Sequence, residues 1–181
     1  NQTRACLKGA GFQWAGKYAI ARTHQAYPEL RLMQTENECG DGENTFEYAE
    51  YVASLLFHYL RNGAEAYVYW NMVLPEGGES TWGWKQNAMI TILPDSDTYR
   101  LNPEFYIMRH FSAFIKPGAV ILKAEGGLSP NSICAKNPDG TVVVVAANTL
   151  DVVRKADIAY GEKHVTLEMP PHSVLTAQFE A

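Results

Sequence analysis

Apolar residues in the first two thirds of the chain follow two spacings, one typical of strands and one typical of helices. Short apolar or aromatic runs at residues 11–14, 30–35 and 66–70 predict three strands. Residues 18–26 predict a weak helix, and residues 44–60 predict a long helix with one continuous apolar face. The order of these elements is an alternation of strand and helix.

The ends of the predicted helices carry recognisable sequence signals. Asn44, with Glu47 three residues later, matches a capping box at the start of the long helix. Asn102-Pro103 begins a last predicted helix, which Pro117-Gly118 ends. The segment between the third strand and this helix, residues 71–97, is predicted to be one long loop.

Helical spacing disappears after Gly118. Turn residues then separate short apolar runs, which predict six strands within about 60 residues and therefore an antiparallel sheet or sandwich. We predict a partial β/α barrel at residues 1–117 and a β-sandwich segment at residues 118–181. The predicted strands cover residues 120–122, 133–135, 142–147, 156–160, 165–169 and 174–179.

The first part is too short to close a barrel, because about three β/α units are present and a β/α barrel needs eight strands. An unclosed sheet would leave backbone groups unpaired at its edges. The predicted fold class is therefore α/β plus all-β: the C-terminal part of a (β/α)8 barrel followed by a β-sandwich segment. The missing strands would come from an N-terminal half-barrel chain or from a second copy of this chain.

Composition excludes several classes of function. The chain of 181 residues is 46% hydrophobic and 19% charged, which is typical of a globular protein. A net charge of −5 gives no basic surface for nucleic acid, and no apolar run is long enough to span a membrane. The five histidines and three cysteines lack metal-ligand spacing, and no glycine-rich phosphate loop follows a strand, so neither a metal nor a cofactor is predicted.

The strongest chemical candidate is Glu36, at the end of the second predicted strand. In a β/α barrel this is the position from which side chains build the active site. Trp14, Trp70, Trp82 and Trp84 supply aromatic faces suited to stacking on sugar rings. Two alternatives stay open: Glu36 is a solvated carboxylate or a partner of Arg31, or it forms a catalytic pair with Glu38.

At these residues the chain resembles glycoside hydrolase family 30, the family of glucosylceramidase-like β-glycosidases. Several spaced motifs in the same order carry the resemblance, which covers the whole chain. They lie at residues 11–16, 27–30, 33–36, 69–71, 75–78, 84, 87, 105–106, 110–112, 114–115 and 171–173.

The resemblance implies an eight-stranded barrel with a side β-sandwich, a retaining mechanism and a glycoside substrate, without a cofactor. It implies that Glu36, which follows Thr35 at the end of the family's seventh strand, is the nucleophile. Trp70 and Asn71 match the end of the eighth strand, where the tryptophan lines the sugar subsite, and Trp84 and Asn87 match loop residues near the same pocket.

Two departures from the family pattern bear on function. Gln13-Trp14-Ala15 stands where relatives often carry His-Trp-Tyr, which affects the expected specificity more than the chemistry. The family's acid/base, a glutamate after an asparagine at the end of the fourth strand, has no counterpart here, since Asn37-Glu38 directly follows the nucleophile.

Three hypotheses follow from the resemblance and these departures. The chain is the C-terminal piece of a retaining β-glycosidase of carbohydrate or sphingolipid metabolism, extracellular or secreted as the resemblance favours. Alternatively, it is a self-associating half-barrel that binds sugar without efficient catalysis, or a carbohydrate-binding module. The substrate in each case is a β-linked glycoside or oligosaccharide.

Overall fold

A computed structural model describes residues 6–94 and 97–180 of the chain. By its internal contacts the chain divides after Phe105 into two compact units. The sequence pattern places the boundary at residue 117 instead, where helical spacing gives way to strands, and that boundary stays a prediction.

The first unit is built on a parallel sheet in which β2 lies between β1 and β3. The strands are β1 (Gly9–Gln13), β2 (Arg31–Glu36) and β3 (Ala64–Tyr67), and the helices are α1 (Ile20–Ala26) and α2 (Phe46–Arg61). The three predicted strands and both predicted helices are therefore present. Their common core contains Phe12, Ile20, Leu32, Leu55, Tyr59 and Ala64.

Only one face of this sheet is covered by the helices of the first unit. Leu32 and Gln34 on β2 are fully buried, whereas Met33 between them is 40% exposed. Since side chains of a strand alternate between the two faces, Met33 belongs to the uncovered one. Gly11 pairs with Met33 in the parallel register and shares that face, and a groove along it is lined by both residues and by Thr35. We call this surface the open face.

The third strand is shorter than predicted, and side chains explain why. Beyond Tyr67 the backbone N–H of Val68 donates to Gln34 Oε1 at 2.8 Å, in addition to its bond to the Gln34 carbonyl. The N–H of Trp70 then donates to Asn37 Oδ1 at 2.8 Å. A side-chain acceptor thus shares the main-chain bond at Val68 and replaces it at Trp70, where the sequence pattern still predicts a strand.

The start of α2 also differs from the prediction. Thr45 is the N-cap, and its Oγ1 accepts a hydrogen bond from the N–H of Tyr48 at 3.2 Å. Asn44 precedes the helix with φ +50, and its side chain donates to the carbonyl of Gly42 instead. Asparagine and threonine are both good N-caps, so the sequence alone does not separate neighbouring candidates.

The predicted loop at residues 71–97 is wrong in one respect, because it contains two strands. Strands β4 (Val73–Pro75) and β5 (Ile90–Ile92) pair in parallel, and β6 (Tyr99–Leu101) adds to β5 antiparallel. Strands of three residues are too short to show a periodicity in the sequence.

Helix α3 (Pro103–Ser112) follows, and the second unit is a β-sandwich. Its four-stranded antiparallel sheet has the order β12-β9-β8-β7, and the β10–β11 hairpin packs against it through two apolar clusters. All six predicted strands are present. They are β7 (Val120–Leu122), β8 (Ser132–Lys136), β9 (Val142–Asn148), β10 (Arg154–Tyr160), β11 (Lys163–Met169) and β12 (Ser173–Phe179).

Candidate active site

The carboxyl ends of β1 and β2 bring together the first residues of the candidate site. Gln13 stands opposite Glu36 in the parallel register, after a local irregularity next to Phe12. Trp14 follows Gln13 directly and begins a 3₁₀ turn (Trp14–Tyr18). Parallel strands end at the same edge of a sheet, and polar side chains from both therefore meet there.

A hydrogen bond joins Trp14 and Glu36 at this edge. The Trp14 Nε1–H donates to Glu36 Oε1 at 2.7 Å. Trp14 has φ +44, a conformation that costs a non-glycine residue about 1 kcal/mol or more. The turn thus holds a strained backbone while the indole contacts the carboxylate. The alternative partner considered for Glu36 is engaged elsewhere, since Arg31 Nε donates to Glu65 Oε2 at 2.7 Å.

The second carboxylate of the segment, Glu38, lies in a different environment. Its side chain forms an ion pair with Lys17, and Lys17 also donates to the hydroxyl of Tyr51 at 2.9 Å. Both side chains of the ion pair are largely buried, with exposed fractions of 16% and 21%. Burial opposes the ionised form of Glu38, but the hydrogen bond and charge of Lys17 outweigh it and lower the Glu38 pKa.

Two parallel links therefore connect the 3₁₀ turn to the end of β2. Trp14 bonds Glu36 and, three residues on, Lys17 bonds Glu38. The hydroxyl of Tyr48 on α2 also donates to the carbonyl of Glu38. The carboxylate of Glu38 is engaged in the ion pair with Lys17 and points towards the protein. Glu36 is therefore the carboxylate available at the strand end.

We expect Lys17→Met to lower the free energy of unfolding by about 2 kcal/mol at pH 7, because it leaves the largely buried Glu38 carboxylate unpaired. The Glu38 pKa is lowered in the folded state, so the contribution is present above its ordinary value of 4.5 and is lost as the pH falls through the folded pKa. Urea unfolding of wild type, Lys17→Met, Glu38→Gln and the double variant at pH 7 and pH 3 measures this. A coupling energy that is unchanged between the two pH values would contradict it.

The segment after β3 contributes Trp70 and Asn71. Trp70 is held by the bond from its N–H to Asn37 Oδ1 and is 37% exposed. Asn71 Nδ2 donates to Gln86 Oε1 at 2.8 Å. The hydrogen bond from the backbone N–H of Trp70 thus connects this residue to Asn37, which directly follows Glu36.

Asn87 is fully buried, and its amide and backbone join three segments. Its Oδ1 accepts from the N–H of Gly42 at 2.7 Å, and its backbone N–H donates to the carbonyl of Cys39. Its Nδ2 donates to Glu104 Oε1 at 2.7 Å. Asn87 thus fixes the loop after Glu36 against helix α3, from a position without access to solvent.

Glu104, the partner of Asn87, is itself fully buried, and its Oε2 has no hydrogen-bond partner among the residues that the structure describes. Burial raises the pKa of the Glu104 carboxyl, against the bonds it accepts from the backbone and from Asn87.

Trp84 lies beside the loop that follows Glu36. Three residues later, the backbone N–H of Asn87 donates to the carbonyl of Cys39 at 2.6 Å, and the Cys39 thiol is buried. Burial and the charge of Glu36 raise the pKa of the Cys39 thiol, so this thiol is a poor nucleophile. Within residues 6–94 and 97–180, His, Cys, Asp and Glu side chains form no cluster suited to a metal ion.

Comparison with known proteins finds similar glycoside hydrolases. A family model described as the glycosyl hydrolase family 30 beta sandwich domain matches residues 130–177. Putative glucosylceramidase 4 of Caenorhabditis elegans is 27% identical over 89% of this chain, and lysosomal acid glucosylceramidase of Mus musculus is 28% identical over 73% of it. The structure of an endo-β1,6-glucanase superposes with a TM-score of 0.84 at 26% identity, over 98% of this chain.

The chain resembles glycoside hydrolase family 30. It spans 34% and 28% of the length of the two curated relatives, or about a third, and 42% of the glucanase chain. The portion matched is C-terminal, as the resemblance in sequence implies. SrfJ from Salmonella typhimurium has the same fold, with a TM-score of 0.86 at 22% identity over 96% of this chain.

Gln13 and Glu36 end β1 and β2, and Trp14 follows Gln13 directly, whereas Trp70 and Asn71 lie three and four residues beyond the end of β3. Trp84 and Asn87 come from the loop before β5. Sequence reasoning missed Lys17, Tyr48, Tyr51 and Glu104. Lys17 lies three residues after Trp14 and so one turn further along the 3₁₀ turn. A single 3₁₀ turn is too short to show a periodic pattern in the sequence, so this spacing could not be recognised.

No helix among the described residues is long and apolar enough to cross a membrane.

Proposed function

We propose that this chain carries the nucleophile side of a retaining β-glycoside hydrolase site, with Glu36 as the nucleophile. The observation that carries the proposal is the hydrogen bond from Trp14 Nε1 to Glu36 Oε1, at the end of a parallel strand. It fixes one carboxylate oxygen and leaves Oε2 to bond to carbon. Trp70, exposed at the neighbouring strand end, offers a face for the sugar ring.

The mechanism needs two carboxyl groups. Glu36 Oε2 attacks the anomeric carbon, the bond to the leaving oxygen breaks, and an acid protonates that oxygen. The same group, then a carboxylate, takes a proton from water as the water displaces Glu36 from the sugar. Glu38 is a poor acid, because its pKa is lowered and Lys17 holds its carboxylate. The acid/base is proposed to come from strands outside residues 1–181.

The three parallel strands are proposed to be strands six to eight of an eight-stranded β/α barrel, with Gln13 and Asn71 near the sugar. The open face supports this, because Met33 and the groove beside it would otherwise lie in water. The strands that cover it come from an N-terminal half-barrel or from a second copy of the chain. Self-association of the half-barrel is the second candidate, and the same open face favours it.

The proposed substrate is a β-linked glucoside or oligosaccharide. The two curated relatives are named as glucosylceramidases and the similar solved structure as an endo-β1,6-glucanase; a glucosyl unit is common to those names, and the glucanase name gives a β linkage.

Covalent trapping tests the nucleophile. We expect dinitrophenyl 2-deoxy-2-fluoro-β-glucoside to add one fluoroglucosyl group to the chain, because the leaving group departs without an acid and fluorine slows hydrolysis of the glycosyl-enzyme. Intact-mass spectrometry measures the addition, and peptide mapping locates it on Glu36.

Glu43→Gln is the matched control, since this exposed carboxylate lies seven positions later in the same segment. It should label like wild type, whereas Glu36→Gln should not label. An adduct on another residue would disprove the assignment of Glu36. Sugar binding without any adduct would favour the carbohydrate-binding alternative.

A further inference from the structure

Residues 78–86, between β4 and β5, form a tight hairpin. The N–H of Gln86 donates to the carbonyl of Gly78 at 2.8 Å, and the N–H of Ser80 donates to the carbonyl of Trp84 at 2.9 Å. Gly83, with φ +82, closes the turn by donating to the carbonyl of Ser80. The hairpin is therefore held by its own backbone bonds, entirely within this chain.

This hairpin presents two tryptophan rings that stack on each other. The ring centroids of Trp82 and Trp84 are 5.6 Å apart, and the ring planes differ by 19°. The two side chains are nevertheless 68% and 50% exposed. Tryptophan is among the side chains that gain most from burial, so a rigid pair left in water indicates a surface that a ligand covers.

The pair also has a defined direction relative to Glu36. The base of the hairpin lies against the loop after Glu36, because the N–H of Asn87 donates to the carbonyl of Cys39 at 2.6 Å and a Cβ added at Gly42 would meet Lys85 Cβ at 2.8 Å. Trp82 contacts Trp84 and is the more exposed of the two. The two rings thus lead from the edge of the strand-end site towards solvent.

We infer that Trp82 and Trp84 form a platform for a further sugar unit of a β-linked oligosaccharide, outside the unit that Glu36 attacks. The inference rests on the proposed function and narrows its substrate to oligosaccharides. The C–H face of a pyranose stacks on an indole, and the exposed Thr81 and Lys85 offer hydrogen-bonding groups for the hydroxyls of the sugar.

The surroundings favour a sugar over a lipid surface. Exposed Glu76 and Glu79 flank the hairpin, and they would be repelled by the anionic headgroups that attract basic interfacial segments. Only one lysine, Lys85, lies in the hairpin.

A length series tests the platform on the 181-residue chain. Binding of methyl β-glucoside and of β-1,6-linked di-, tri- and tetrasaccharides of glucose is measured by calorimetry and by the indole N–H resonances of the four tryptophans. We expect the affinity of wild type to rise about three- to tenfold once the oligosaccharide reaches the platform, from the usual strength of an aromatic stacking contact. The Trp82 resonance should move only with the longer ligands.

Trp82→Ala should remove the increase with length and leave the affinity for methyl β-glucoside unchanged. Tyr99→Ala is the matched control, because Tyr99 is an aromatic residue of the same unit with a similar exposure of 63%. An affinity independent of length, a length effect that survives Trp82→Ala, or no binding at any length would overturn the platform.

Binding of wild type and Trp82→Ala to neutral phosphatidylcholine vesicles is measured as well. Trp82-dependent partition onto vesicles without any oligosaccharide binding would also overturn the platform and assign the pair to a lipid surface. A different result would contradict the proposed function alone: oligosaccharide binding that depends on Trp82, with Glu36 left unlabelled by the fluoroglucoside.

Discussion

Glu36→Gln is expected to abolish a pre-steady-state burst of dinitrophenol from a dinitrophenyl β-glucoside, with a loss in rate of at least ~10⁴-fold, as for other removed nucleophiles. Dinitrophenolate leaves without protonation, and the first step therefore depends on the nucleophile alone. Wild type should release about one equivalent per chain and then turn over slowly, since the acid/base that would deprotonate water is proposed to lie outside residues 1–181.

Stopped-flow absorbance measures the burst, and two comparisons sharpen it. Glu76→Gln, which removes an exposed carboxylate on another loop, should keep the full amplitude. The leaving oxygen of a methyl β-glucoside needs an acid. Its hydrolysis by this chain should be about 10²- to 10⁴-fold slower than hydrolysis by a glycosidase with its acid/base in place, because this chain is proposed to lack that group. A burst of equal amplitude in Glu36→Gln would show that another residue attacks.

Asn87→Leu is expected to lower the free energy of unfolding of the first unit by about 3 kcal/mol. Leucine has a similar size but leaves the N–H of Gly42 and a carboxylate oxygen of Glu104 without their partner, and each buried unpaired group costs about 1–3 kcal/mol. The loop after Glu36 should loosen in consequence. Urea unfolding followed by tryptophan fluorescence gives the stability.

Glu104→Gln is the matched control, because its amide oxygen still accepts from Asn87. The pKa of Glu104 is raised in the folded state, so the stability it contributes is complete below 4.5 and is lost as the pH rises through the folded pKa. The free energy of unfolding of Glu104→Gln should therefore equal that of wild type at low pH and exceed it towards neutral pH. A stability of Asn87→Leu within about 0.5 kcal/mol of wild type would contradict the structural role of Asn87.

The sequence predicted the elements whose patterns are long and the site residues that directly follow them. Glu36 ends an apolar run, and the face of α2 repeats over sixteen residues, so both are visible as periodicity. The β-sandwich strands were predicted from short apolar runs between turn residues. The position of Glu36 follows from one rule about where strands end.

The rest depends on contacts that have no pattern along the chain. Lys17 meets Glu38 across 21 positions and Asn87 meets Glu104 across 17, in both cases from a turn or a loop. Strand β3 ends early because Gln34 and Asn37 supply side-chain acceptors, which a propensity cannot anticipate. Polar networks of this kind are specified by the folded geometry, and their members look like ordinary surface residues in the sequence.

The central strand of the sandwich has a consequence for handling the protein. Every residue of β9 is buried, and the strand begins with four consecutive valines between partners on both sides. Before β8 and β12 are in place, the same segment is an uncharged, β-prone stretch without proline, the composition that self-associates in partly folded chains. Recovery from denaturant should therefore be governed by protein concentration, with dilute refolding favouring the native sheet over intermolecular pairing.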